Sequence, residues 1–148
     1  MTLQIGELKI GQELPGRVKQ ITQDEINLYA KASRDFNPIH IDPRFALQTP
    51  AKGTIAHGML VLAYVSQMMT ESFGLNWMKG GRFNIRFKTP ARPGDILTIQ
   101  GMVEKIETQS FQTQVVCSVL CSNQNNEANI TGEAKVRFNN VEGVKDVH

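Results

Sequence analysis

Asp35 and His40 have the residue types and spacing for proton-transfer chemistry. They stand five apart across Asn37-Pro38, in the run Ser33-Arg34-Asp35-Phe36-Asn37-Pro38-Ile39-His40-Ile41-Asp42. Pro38 restricts its own backbone and that of Asn37, so the two side chains can be held at a fixed separation around one water molecule. A carboxylate and an imidazole together can take a proton from water and return one to carbon near neutral pH. Adding water across the double bond of a 2-enoyl thioester needs that division of labour. Taken alone the spacing is a weak signal: a loop aspartate more often closes a turn or caps a helix, and a histidine there is also read as buried and satisfied by backbone.

The surrounding chain supplies elements that could position such a pair. Thr22 followed by Asp24-Glu25 predicts a helix start, and Ile26, Tyr29, Ala30 and Ala32-Ser33 continue it at helical spacing to about Arg34. Asp42-Pro43 predicts a second, short helix through Phe45-Ala46-Leu47, which accounts for Asp42 as a cap. From His57-Gly58 a long apolar segment through Met69 predicts a largely buried helix ending before Gly74. His57 is read as shaping the entry to this helix. Met59, Met68 and Met69 fit either core or ligand-pocket lining. After Gly80-Gly81 the period changes to two: Phe83, Ile85 and Phe87 alternate with polar residues. Further strands are predicted at 96–106, 111–121 and 128–138, separated by hairpin-like connections. This is an α+β arrangement, one long helix on an antiparallel sheet.

Composition sets outer bounds. The 148 residues read as a single domain, 1–148, with 41% hydrophobic and 20% charged residues. A net charge of +2 gives no electrostatic case for nucleic acid. Lys52, Arg82 and Arg86 read first as solvated charges and second as contacts for a ligand's phosphates. Cys117 and Cys121 would lie on one face of a strand roughly 13 Å apart, too far for a disulfide, so both read as reduced. No signal segment or membrane-spanning run is read, so a cytoplasmic protein is expected. Cys and His lack metal-ligand spacing and no G-x-G-x-x-G occurs, so neither metal nor cofactor is expected.

Ten residues resemble the hydratase-2 motif of the MaoC-like dehydratase and (R)-specific enoyl-CoA hydratase family: Asp35, Asn37, Pro38, His40 and Asp42 form its core. Ile55-Ala56-His57-Gly58-Met59 resembles the opening of the family's central helix. Gly81-Arg82-Phe83 through Pro90, then Pro93-Gly94-Asp95, resemble its first long strand and turn. The resemblance covers about residues 10–138. It implies a hot-dog fold, a long helix wrapped by an antiparallel sheet, and pairing as a homodimer or a trimer of dimers. It implies Asp35 and His40 as the catalytic pair and Gly58 N–H as the donor to the thioester oxygen. It also implies Ser66, two turns along the same helix, as the group that orients Asp35. Asn37 is read as structural, forming an Asx turn before Pro38. Where the family usually has glycine ahead of the aspartate, this chain has Arg34.

The implied reaction is reversible syn hydration of trans-2-enoyl thioesters of coenzyme A or acyl carrier protein to (R)-3-hydroxyacyl thioesters, in fatty-acid or hydroxyalkanoate metabolism. A hot-dog thioesterase and a non-catalytic acyl-thioester binding module are the alternatives. No nucleic acid or membrane partner is expected.

Overall fold

Local capping chemistry starts the three α-helices around Asp35 and His40. Thr22 Oγ1 accepts from the Glu25 N–H at 3.1 Å, opening α1 (Gln23–Ser33); such a cap contributes about 1 kcal/mol. Arg34 ends α1 in the left-handed region, at φ 63° and ψ 22°. Asn37 and Asp42 each cap a short helix with proline in its first turn, α2 (Pro38–Ile41) and α3 (Pro43–Leu47). α3 agrees with the expectation from Asp42-Pro43, whereas α2 turns the Asn-Pro segment itself into a single helical turn. We describe residues 2–139 in this computed structural model; Met1 and residues 140–148, the ends of the expected 1–148 domain, lie outside the described residues.

The long helix is α4 (Gly58–Phe73), followed by α5 (Leu75–Gly80). α4 buries Leu60, Val61, Tyr64, Val65, Met68, Met69, Ser72 and Phe73, a stripe at the 3.6-residue period. Its three methionines divide accordingly: Met59, at the N-terminus, is 57% exposed, whereas Met68 and Met69 are fully buried. Each fully buried side chain of this kind contributes about 1.5–3 kcal/mol.

The sheet on which α4 packs has the antiparallel order β1-β3-β4-β5-β2. Its strands are β1 (Arg17–Gln20), β2 (Arg82–Phe87), β3 (Ile96–Thr108), β4 (Gln112–Ser122) and β5 (Ala128–Asn139). The four later strands follow the period-two segments, and β1 joins from the half that reads as helical. Gly101 lets the layers meet: a Cβ there would stand 2.9 Å from both Leu14 Cδ1 and Met68 Cε. Cys117 and Cys121 are free and buried on β4. This is the expected α+β, hot-dog arrangement. No helix among the described residues is long and apolar enough to cross a membrane.

Candidate active site

The loop after α1 holds Asp35 by short local bonds. Asp35 N–H donates to Ser33 Oγ at 3.2 Å, and Asp35 Oδ1 accepts from Asn37 N–H at 3.2 Å. Asn37 Oδ1 in turn accepts from Ile39 N–H at 3.1 Å. Asp35 is exposed, its Oδ1 serves the turn, and its other oxygen has no hydrogen-bond partner among the described residues.

His40, half-buried on α2, is clamped through backbone and ring. Ile55 N–H donates to the Ile39 carbonyl at 3.2 Å, and His40 Nδ1 lies 2.8 Å from the Ile55 carbonyl oxygen. A carbonyl only accepts, so Nδ1 carries the hydrogen and, in the neutral ring, Nε2 keeps the lone pair. The Gln23 amide also donates to the His40 carbonyl at 2.8 Å, while its oxygen accepts from Thr54 Oγ1 at 2.7 Å.

A carboxylate oxygen of Asp35 and a ring nitrogen each of His40 and His57 lie within 4.8 Å of one another. Two water hydrogen bonds of about 2.8 Å at a tetrahedral angle span roughly 4.5 Å, so the pair lies within the reach of a single bridging water. His57 does more than the helix-entry role expected from its place in the chain. It is buried behind the pair, its Nε2 3.0 Å from the Asp35 carbonyl oxygen and its ring stacked on His40 at 3.8 Å with planes 24° apart. The three donors match a cation site in type. In a ring stack, however, in-plane lone pairs occupy nearly parallel planes, and a cation about 2.0–2.1 Å from one nitrogen stands off the plane of the other ring. Their geometry suits proton transfer better than ligation.

Gly58 opens α4, and its N–H takes no partner among the described residues. The helix dipole adds partial positive charge there. A cavity of about 200 Å³ connects this end of the helix to His40 and is walled by Val61, Phe87, Ala91 and Ile130. Ser66, expected to orient Asp35, has a partner on another helix. Its hydroxyl accepts from Trp77 Nε1–H at 2.9 Å, and no hydrogen bond joins it to Asp35 among the described residues. α5 folds Trp77 back over α4, where it also packs edge-on against Phe83, so Ser66 ties two helices together.

A family model described as a MaoC like domain matches residues 7–126. The chain belongs to the MaoC-like family. Among its MaoC-like relatives, the (R)-specific enoyl-CoA hydratase of Aeromonas caviae is 30% identical over 133 residues, 88% of this chain and 96% of that protein. The solved structure of the (R)-hydratase from A. caviae involved in PHA biosynthesis superposes with a TM-score of 0.75 at 28% identity, covering 88% of this chain and 96% of that one. Nodulation protein N of Rhizobium meliloti (strain 1021) is 42% identical over 96 residues, 57% of this chain. That match spans only 57% of Nodulation protein N's own length.

Proposed function

We propose that this MaoC-like protein is a hydratase that reversibly adds water to trans-2-enoyl thioesters, giving (R)-3-hydroxyacyl thioesters. The observation that carries the reading is a cavity lined by both His40 and Gly58, whose N–H is open, with an Asp35 carboxylate oxygen within 4.8 Å of a His40 ring nitrogen. In the hydration direction the water oxygen bonds to C3, and the Asp35–His40 pair takes a proton. The π pair shifts through C2 toward the thioester oxygen, where the Gly58 N–H and helix end favour the negative charge. The pair then returns a proton to C2, which restores the thioester. Both groups lie beside one water, so hydroxyl and proton arrive on the same face and the addition is syn. The (R) configuration rests on the similarity to (R)-specific hydratases.

The acyl carrier is coenzyme A or acyl carrier protein, and the setting is cytoplasmic fatty-acid or hydroxyalkanoate metabolism. The protein acts as a homodimer or a trimer of dimers, a reading supported by β2 at the sheet's edge and by exposed Met59 and Phe87 near it. The experiment is a spectrophotometric assay with 2-enoyl-CoA thioesters of graded chain length, read for loss of enoyl absorbance and for free thiol. Absorbance loss without thiol release, with an (R)-3-hydroxyacyl product on chiral chromatography, is expected. Thiol release without a hydroxyacyl thioester would establish a thioesterase instead, and binding without any absorbance change would establish a binding module.

A further inference from the structure

We propose that His57 is a positioning residue of this site, holding Asp35 and His40 as one unit with the N-terminus of α4; the inference rests on the hydratase reading. Three observations meet at this residue. Its Nε2 reaches the backbone carbonyl of Asp35 at 3.0 Å, so Nε2 carries the hydrogen and the loop bearing the carboxylate is tied to the imidazole. Its ring stacks on that of His40 at 3.8 Å. It is also the residue before Gly58, so the same backbone segment sets where the open helix end begins.

The site's own packing holds His57 in place. The residue is 3% exposed, and Tyr29 packs edge-on at 4.9 Å between ring centroids. Its Nδ1 is buried with no hydrogen-bond partner among the described residues. An unmade bond at a buried polar atom is costly, and asparagine or serine at this helix start would cap α4 where His57 does not. The local structure alone therefore gives no reason for histidine. The two-sided contact with Asp35 and His40 does. Opposite tautomers follow: His40 holds its hydrogen on Nδ1, and His57 on Nε2. The stack fixes the plane in which the free His40 Nε2 meets the water and substrate.

The test pairs two substitutions with a spectroscopic measurement. His57→Phe keeps a ring for the stack and removes the N–H donor; His57→Gln keeps a donor and removes the ring. Each is expected to lower kcat on 2-enoyl-CoA on the order of 10²-fold, as for a reacting group displaced by about 1 Å, with KM little changed. Because His57 acts through the pair, His40→Ala/His57→Phe should lose little beyond His40→Ala alone. Long-range ¹⁵N spectra of the unsubstituted protein should show the hydrogen on His57 Nε2 and on His40 Nδ1, and His57→Phe should leave His40 with mixed tautomers. Parental kcat in both variants, a loss confined to KM, or losses that multiply with His40→Ala would overturn the proposal. So would a His57 carrying its hydrogen on Nδ1. A parental protein that hydrates no enoyl thioester while showing both fixed tautomers would refute the hydratase reading and leave the positioning geometry standing.

Discussion

A Cβ on Gly58 would stand 3.0 Å from Cε1 and 3.2 Å from Cδ1 of the Phe87 ring. That is tighter than ordinary van der Waals contact, and the atoms it meets belong to a half-exposed side chain. The cavity wall beside His40 and the open helix end are thus set by one residue without a side chain and one with a large ring.

Gly58→Ala should therefore cost activity more than stability. The helix gains a better former, while the Phe87 ring, which lines the cavity with His40 and Gly58, must move to accept the added Cβ. We expect kcat/KM on 2-enoyl-CoA to fall about 10-fold or more, with a thermal midpoint within a few degrees of parental. Adding Phe87→Ala should restore part of the loss, since neighbours that collide are coupled. A double variant as slow as the product of the two singles would show that crowding is not the cause.

Arg34 occupies the left-handed region at φ 63° with an exposed side chain and no hydrogen bond or ion pair among the described residues. A non-glycine residue there costs about 1–2 kcal/mol, and glycine's greater freedom in the unfolded chain offsets part of that. Arg34→Gly should stabilise the fold by about 0.5–1 kcal/mol in urea denaturation. A clear destabilisation would mean that the arginine side chain holds the Asp35 loop.

Burial pushes the thiols of Cys117 and Cys121 up to about 12 from an ordinary 9.0, with the Glu104 charge adding to the effect at Cys117. Burial likewise raises the Tyr64 phenol, with Glu25 beside it. Above pH 9 the unfolded chain gives up thiol protons that the folded chain retains, so unfolding is favoured. Stability from these groups is full below about pH 9 and declines toward pH 12. Urea midpoints measured from pH ~8 to ~11 should fall along the series, and Cys121→Ala should flatten the slope. A slope the same in both proteins would contradict the assignment.

Much of this architecture is encoded locally. Thr22, Asp42 and Gly58 mark three helix starts by capping chemistry or by the onset of an apolar run, and the period of two from Phe83 onward marks the later strands. α2 escaped because a four-residue helix inside Asn-Pro has no periodicity to read. β1 is equally short, and its pairing with β3 is set by a partner far along the chain. In the site, Asp35 and His40 share one local segment and stand out through its resemblance to the hydratase-2 motif, not through spacing alone. His57 and Gln23 reach the same place from 17 residues on either side of His40, through contacts that only the folded chain makes. Ser66 shows the same limit: its hydroxyl also accepts from Trp77, a contact made only because α5 brings Trp77 back over α4.

The measurement that bears most directly on the account is the turnover of 2-enoyl-CoA by Asp35→Asn, His40→Ala and the double variant, each checked for a folded state. Acid–base catalysis contributes at least about 10²-fold, so each single variant should lose that much in kcat with KM little changed. The double variant should fall little further, because the two groups act on one water. Near-parental turnover in either folded single variant would contradict the assignment of Asp35 and His40 as the catalytic pair.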